Sequence, residues 1–477
     1  MNKPVELEIL ALSYPIEPAQ AYPVITADSR YSYWLDSALA SSSMSHYSYI
    51  GVVPEDSQIL HYVHAGTPTP QVHLYDGNGT PNGTIDGDIW EVLHQKLETA
   101  PTPASGTMSS PEETLLLGGY VGYFGYETHL DLDIGANTPH AKNAPRTTPD
   151  ALWFPATNYL IYEHRTAKSW LVGDSTWIHH MERQLRNLTI YQPIPAPPLN
   201  FPTPSKQDYC QHVETCLEQI HDGNSYEVCL TTATHIHTEK PLSAEEALGI
   251  YLAQREKNPA PYAAFFNCAG WYVLSSSPER YLQVKNTGIV ETKPIKGTIP
   301  RSHDPVEDQQ RAQWLRDDPK TRAENLMIVD LLRNDLSTVS QPGTVNVPVL
   351  MGVESYSTVH QLVSTIRSQL REGITAVDAA AACFPGGSMT GAPKASTMSI
   401  IDSLEKRARG VYSGALGFFS ADGSAELSIV IRTLIIDADG TISVSAGGAI
   451  VYDSHPEAEY QEMLTKLNAA VPHRGQP

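Results

Sequence analysis

Val411-Tyr412-Ser413-Gly414-Ala415-Leu416-Gly417-Phe418-Phe419-Ser420, Ala425-Glu426-Leu427-Ser428-Ile429-Val430-Ile431-Arg432-Thr433-Leu434-Ile435-Ile436 and Thr441-Ile442-Ser443-Val444-Ser445-Ala446 are three runs of strand composition. Asp422-Gly423 separates the first two, and Asp439-Gly440 the last two. Asp-Gly supplies the positive φ that a tight hairpin needs, so the runs predict an antiparallel meander. Pro261–Phe266 and Trp271–Ser275 predict another strand pair upstream. Helical patterns lie around them: Gln207–His221, ended by Asp222-Gly223; Asn325–Leu336, apolar at Met327, Ile328, Leu331 and Leu332; and Tyr460–Ala470. Hairpins with helices in blocks predict an α+β fold, not a doubly wound one.

Towards the N-terminus the signals are shorter. Gln58–His64, Trp153–Tyr162 and Ser169–Val172 are β-like, and a stretch of small and polar residues, Ala100–Pro111, reads as mobile. Pro193-Ile194-Pro195-Ala196-Pro197-Pro198-Leu199-Asn200-Phe201-Pro202-Thr203-Pro204 can be neither helix nor central strand. It predicts an extended linker over 193–206, between an N-terminal region 1–192 and a C-terminal region 207–472. No internal repeat is visible.

The chain of 477 residues suffices for one large core or two to three average domains. Its formal net charge of −21 disfavours nucleic acid and anionic membranes as partners, because phosphate binding needs basic surface. A small anionic substrate remains compatible where basic groups converge. No apolar run approaches the ~20 residues of a membrane span, and Met1-Asn2-Lys3-Pro4-Val5-Glu6 has no signal-peptide core. Cys210, Cys216, Cys229, Cys268 and Cys383 form no CxxC pair. That predicts a reducing cytosol and argues against a zinc site or a disulfide framework.

Several segments carry possible chemistry. In Lys293-Pro294-Ile295-Lys296-Gly297-Thr298-Ile299-Pro300-Arg301, Pro294 predicts an edge or bulge and Gly297 lets the backbone approach a ligand. An amine near Lys293 and Arg301 would lose its proton more easily and become a nucleophile. A solvated lysine in a turn fits the segment as well. Phe384-Pro385-Gly386-Gly387-Ser388-Met389-Thr390-Gly391-Ala392-Pro393-Lys394 precedes a helical pattern and lacks the P-loop spacing. It reads either as a cradle of backbone N–H groups for an anion or as an ordinary loop.

Glu459, Glu462 and Lys466 share a helix face, and Glu324 stands at the start of Asn325–Leu336. The carboxylates suit magnesium, or form a solvated face with Glu462–Lys466 pairing. Glu279, in Ser275-Ser276-Ser277-Pro278-Glu279-Arg280, becomes a general acid if burial raises its pKa; otherwise it is a surface turn. His360 follows Ser357-Thr358-Val359 and reads first as structural. Arg432 falls in the Ala425–Ile436 run on the face of Val430 and Leu434, where a cation needs an anion.

Taken together, Ser275–Leu282, Pro294–Arg301, Arg322–Asp335, Thr358–Leu362, Pro385–Lys394, Ile431–Leu434, Ala446–Val451 and Glu459–Lys466 resemble the chorismate-utilising enzymes. Gly118-Gly119-Tyr120-Val121-Gly122-Tyr123 and Tyr126-Glu127 extend the resemblance into the N-terminal half. Anthranilate synthase component I enzymes typically carry alanine at the Lys296 position, whereas the aminodeoxychorismate-forming branch carries lysine. Tyr226-Glu227-Val228-Cys229-Leu230-Thr231-Thr232 is also similar to that branch.

The resemblance implies two antiparallel sheets packed face to face with helices outside, so that the linker joins halves of one core. It implies a transaminase-class transfer of ammonia to chorismate, giving 4-amino-4-deoxychorismate for p-aminobenzoate and folate. Mg2+ would be held by Glu324 and Glu462, with Glu459 acting through water. Substrate carboxylates would meet Arg432, Lys466 and donors around Ser388, Thr390, Gly391, Gly447 and Gly448. Lys296 would attack the ring while Glu279 protonates the leaving hydroxyl, with His360 near that hydroxyl. Some relatives carry an acid at the Thr321 position, so that acid is missing here. No cysteine lies in a GxCxGxQ context, which implies a separate glutamine amidotransferase subunit as ammonia source.

Leu35, Asp36, Ser37, Tyr47, Ser48, Tyr49 and Ile50 resemble a tryptophan pocket of the family, with Asp36 where glutamate is common. They read equally as strand and turn of the core. Anthranilate-, isochorismate- or salicylate-forming relatives are the nearest alternative reading. A non-catalytic tryptophan-binding subunit is the alternative of another class.

Overall fold

A computed structural model describes residues 7–39, 44, 46–63, 65–103, 114–356 and 359–472. Met1–Glu6, His64, Ser357-Thr358 and residues 104–111 of the Ala100–Pro111 stretch lie outside the described residues. The α+β expectation holds: two antiparallel sheets, of eleven and twelve strands, pack face to face with helices on both outer sides. Tyr33, Tyr159 and Phe266 from one sheet and Val121, Phe154 and Phe418 from the other fill the space between them. The Lys206–His221 and Pro456–Ala470 helices cover the outer face of the eleven-stranded sheet, and Pro319–Ser337 covers that of the twelve-stranded one.

Both sheets mix the two ends of the chain. Tyr31–Asp36 pairs with Tyr262–Cys268 in one, and Tyr120–Phe124 pairs with Ala415–Phe419 in the other. Residues 188–205 hold no helix or strand, as the prolines dictate. That segment is nevertheless anchored, since Leu199 and Phe201 are buried in the core under the Lys206–His221 helix. No helix of the described residues is long and apolar enough to cross a membrane.

The Asp422-Gly423 and Asp439-Gly440 turns close hairpins as expected. The run between them is not one strand. Ala425–Ile429 belongs to the twelve-stranded sheet, while Thr433–Ile436 belongs to the eleven-stranded sheet. The chain changes sheets at residues 430–432, and Arg432 takes a left-handed φ of 52° there. Arg432 therefore does not sit on a strand face beside Val430 and Leu434. Trp153–Tyr162 divides in the same way, into Ala151–Pro155 and Asn158–Glu163 in opposite sheets. Alternation of apolar residues reports burial, and it continues through a crossing because both sheets bury the same interior.

A third crossing lies between Tyr272–Ser277 and Arg280–Val284, over Pro278-Glu279. It runs beside the crossing at residues 430–432. The Ile429 N–H donates to the Glu279 carbonyl at 3.1 Å, and the Ser276 N–H donates to that of Arg432 at 3.2 Å. Glu279 and Arg432 are thus brought to one corner of the sandwich.

Phe154 is fully buried, with its ring T-shaped to Tyr31 at 5.7 Å and tilted against Phe266 at 5.9 Å, both from the other sheet. Phe154→Ala should cost about 3–5 kcal/mol. Because both halves share this interior, denaturant unfolding followed by far- and near-ultraviolet dichroism should show one coincident, earlier transition. Two separate transitions would contradict the shared core.

Candidate active site

Lys296 lies on Ile295–Pro300, the edge strand of the twelve-stranded sheet, paired with Val359–Gln369. The register slips between Ile295 and Thr298, and Gly297 sits in the slip with φ 81°. A Cβ at Gly297 would come within 2.5 Å of the Thr321 methyl, so both the turn and the packing require glycine. The edge-strand bulge foreseen from Pro294 and Gly297 is present. It turns the Lys296 side chain into the interior, where Nζ donates to Glu227 Oε1 at 2.7 Å.

The expected influence of neighbouring cations is absent. Lys293 pairs with Glu354 at 2.9 Å, and Arg301 with Asp308 at 2.8 Å. Burial by itself lowers the Lys296 pKa, but the Glu227 and Glu324 carboxylates more than offset it, and the amine titrates above its ordinary value. The 2.7 Å pairing with Glu227 thus favours the ammonium form of Lys296.

Glu279, at the crossing, is buried and its carboxyl is pushed up to about 7 by burial. The Ser388 hydroxyl and the nearby charges of Lys296 and Lys466 oppose that rise. Arg432, half-buried at the neighbouring crossing, feels the Glu279 charge in turn. A carboxyl titrating near neutrality is suited to giving up a proton at physiological pH.

The Pro319–Ser337 helix begins earlier than its apolar pattern suggested, because Asp318 caps it and Pro319 occupies its first turn. Glu324 is therefore in the second turn. Lys320, one turn before it, reaches Glu459 at 2.9 Å and Glu324 at 3.8 Å. Glu459, Glu462 and Lys466 project from Pro456–Ala470 towards Gly448 on the Thr441–Ile450 strand. A Cβ at Gly448 would stand 3.3, 3.5 and 3.9 Å from their respective polar tips, so glycine keeps this space open.

Among the described residues, no three acidic, histidine or cysteine side chains stand in ligand geometry, and Lys320 supplies the positive charge between the acids. The donors still fit a hard, oxygen-liganded cation. All are carboxylates, and Glu459 Oε2 is buried without a hydrogen-bond partner.

The loop expected to cradle an anion lies against Leu331 of the Pro319–Ser337 helix and the start of the Glu227–His237 strand. Its Ser388 hydroxyl turns to Glu279. The Thr390 hydroxyl instead donates to the Gly386 and Gly387 carbonyls, at 3.3 and 3.4 Å, and so holds the loop itself. Gly391 pairs with Val228, and a Cβ there would lie 1.9 Å from the Glu227 carbonyl oxygen. Gly447 is similarly forced by the Leu230 carbonyl, 2.1 Å from its missing Cβ, and its own carbonyl accepts from Lys466 at 3.2 Å.

His360 pairs with Ile299 on the Lys296 strand. Its ring nitrogens meet Asp308 at 3.0 Å and Ser355 at 2.7 Å, so both are engaged in a cluster that also holds Arg301. Leu35, Asp36, Ser37, Tyr47 and Tyr49 line a cavity of about 40 Å³ together with Tyr262 and Glu426. That is room for a few waters, well short of an indole. The Asp36 carboxylate is taken by Arg255 at 2.5 Å, Tyr251 at 3.1 Å and Ser48 at 3.0 Å. Ile50 packs in the core on that same side of the sheet.

Three residues were not singled out from sequence: Glu227, Lys320 and Arg409. Glu227 opens an apolar strand run, Val228-Cys229-Leu230, and that burial was the available signal. Arg409 donates to the Met389 carbonyl at 2.6 Å and the Cys229 carbonyl at 2.9 Å, fixing the Ser388 loop to the Glu227 strand. Nothing local in its sequence marks it.

A profile of chorismate binding enzymes matches residues 58–472. The chain is 43% identical over 374 residues to "Aminodeoxychorismate synthase, chloroplastic" of Arabidopsis thaliana, covering 74% of this chain and 40% of that one. It is 38% identical over 395 residues to "Aminodeoxychorismate synthase component 1" of Salmonella typhimurium, covering 82% and 83%. The crystal structure of anthranilate synthase component I from Streptococcus pneumoniae superposes with a TM-score of 0.74 at 28% identity, covering 90% and 93%. The chain spans only about two fifths of the plant relative it matches. With its paired sheets and the converging Lys296, Glu279 and glutamate cluster, this chain belongs to the chorismate binding enzyme family.

Proposed function

We propose that the chain converts chorismate and ammonia to 4-amino-4-deoxychorismate, a transaminase-class transfer that feeds p-aminobenzoate and folate. The observation that carries this reading is the buried Lys296 amine close enough to act on Glu279, a buried carboxyl titrating near 7. The relatives named aminodeoxychorismate synthase support it.

Hydroxide is a poor leaving group, so the allylic hydroxyl needs an acid. Glu279 gives it a proton and water departs. Lys296 Nζ bonds to the ring as the double bond shifts, splitting one substitution into two easier ones. Ammonia then adds where the hydroxyl left, Lys296 is expelled, and Glu279 recovers its proton from the new ammonium. Arg432 and Lys466 neutralise substrate carboxylates, and Ser388 orients Glu279. Glu324 and Glu462, with Glu459 behind them, would hold Mg2+, which when bound offsets the substrate's charge and fixes its orientation. Lys320 would have to release these acids.

Glutamine-derived ammonia would come from a glutamine amidotransferase subunit, in keeping with the designation "component 1" of the Salmonella relative. The five unpaired cysteines suit a reducing compartment such as the cytoplasm.

Incubation with chorismate, magnesium and an ammonium salt should yield 4-amino-4-deoxychorismate by liquid chromatography and mass spectrometry. Anthranilate or isochorismate as the product would displace the reading. Lys296→Ala should abolish amination, and turnover at the original rate would remove the nucleophile. Glu279→Gln should lower kcat by about 10²–10⁴-fold. In the wild type the acid is needed protonated, so the single-turnover rate should fall as pH rises through about 7. A rate flat from pH 6 to 8 would contradict that role.

A further inference from the structure

The ion pair that buries Lys296 also withholds its lone pair. An ammonium cannot bond to carbon, so a proton must leave Nζ before the ring is attacked. Among the described residues, Glu227 supplies the one carboxylate within ion-pair distance, at 2.7 Å. Glu324 acts on Lys296 from farther away, and Glu279 must keep its own proton for the leaving hydroxyl.

Glu227 is placed for proton transfer rather than for packing. Its side chain has no exposure, and its second oxygen, Oε2, is buried without a hydrogen-bond partner. Its backbone is fixed on three sides. It pairs with Ala392 at the end of the Glu227–His237 strand, its carbonyl accepts from the Ser225 hydroxyl at 2.9 Å, and Gly391 packs directly on that carbonyl. A carboxylate kept only to neutralise a lysine gains nothing from an oxygen left without a donor, which is costly when buried.

We propose that Glu227 is the base that takes the Lys296 proton as Nζ bonds to the substrate ring, and that returns it when the lysine is expelled. This rests on the amination proposed above. In the first half, Nζ gives one proton to Glu227 Oε1 and its freed lone pair forms the N–C bond. The C–O bond breaks, and the hydroxyl leaves as water with the Glu279 proton. In the second half, ammonia forms its own N–C bond while the bond to Nζ breaks. The neutral amine then recovers its proton from Glu227, and the product ammonium reprotonates Glu279. Each group ends as it began.

The shared proton never leaves the pair, so this step has no pH dependence of its own in the wild type. The charged and titratable groups around it are Glu324 and Lys320 from one helix, Glu462 and Lys466 from another, Glu279 and Arg432 at the crossings, and Cys229 on the Glu227 strand. All remain in a Glu227→Gln variant. The variant keeps an oxygen acceptor for Lys296 but cannot accept its proton, which must instead go to solvent.

The test is the rate of Lys296 adduct formation, read by rapid quench and intact-protein mass spectrometry, with chorismate and magnesium but no ammonia. At pH 7 Glu227→Gln should be slower than the wild type by about 10²–10⁴-fold. The ratio of variant to wild-type rate should climb roughly tenfold per pH unit until the amine has lost its proton to water. Dividing by the wild-type rate cancels the Glu279 limb. Glu227→Asp, which keeps a carboxylate, should restore the wild-type profile at a reduced rate, and chorismate affinity and Tm should change little in both. A Glu227→Gln rate equal to the wild type, or a loss constant across pH, would overturn the proposal while leaving amination standing. A wild-type chain that forms neither adduct nor aminated product would remove the underlying reaction, and the base with it.

Discussion

The chain passes between two face-packed sheets at neighbouring points, and the site depends on that constraint. Within a strand, each side chain is assigned to one face or the other by alternation. At a crossing this assignment lapses for two or three residues. Pro278-Glu279 leads out of the eleven-stranded sheet, and residues 430–432 lead back into it. The Ser277 hydroxyl donates to the Ile429 carbonyl at 2.5 Å, and with the two backbone bonds it stitches the passages together. Glu279 and Arg432 consequently face a common space that no regular strand pair would give them. The left-handed backbone of Arg432 costs about 1–3 kcal/mol for a side chain of that kind. Its carbonyl, accepting from Ser276 and from Gln254 at 3.1 Å, helps to hold it there.

Burial then acts in opposite senses on the two groups placed at the chemistry. Desolvation penalises charge on each. The Ser388 hydroxyl and the charges of Lys296 and Lys466 do not reverse the penalty for Glu279, so it rises to about 7. Lys296 has Glu227 against it, so its charge survives. Two groups with ordinary values some six units apart can thereby both carry a proton close to neutrality. The amine needs a partner able to relieve it of a proton, and the acid needs none. The glutamates near Gly448 complete the balance, with Lys320 and Lys466 offsetting charge that would otherwise repel an anionic substrate.

Much of this was legible from residues. The hairpin turns, the bulge at Gly297 and the shared face of Glu459, Glu462 and Lys466 follow from local rules about φ and helical period. The crossings were not legible, because Ala425–Ile436 keeps a continuous apolar pattern through a change of sheet. Nor was the charge state of Lys296. Proximity in sequence suggested Lys293 and Arg301 as its neighbours, whereas its partner lies 69 positions away and theirs are Glu354 and Asp308. His360 reads in sequence first as a structural residue, and the contacts that engage both its ring nitrogens, Asp308 and Ser355, could not be read from the sequence. Long-range pairing decides such matters, and a linear pattern does not contain it.

The proline-rich segment divides the sequence more sharply than it divides the structure. Glu127, in the N-terminal half, accepts from the backbone N–H groups of Arg409 and Gly410 at 2.8 and 2.9 Å. Those bonds set the Arg409 backbone, and its guanidinium in turn grips the carbonyls of Met389 and Cys229 and the Glu405 carboxylate. Met389 follows Ser388 on the loop that touches Glu279, and Cys229 lies two residues beyond Glu227. One buried carboxylate from before the linker therefore supports both the acid and the partner of the amine after it. Separating the halves would expose the shared interior between the sheets and also release Arg409 from the position that registers these two elements. The N-terminal strands are thus part of the site's support, whatever their small cavity near Tyr49 holds.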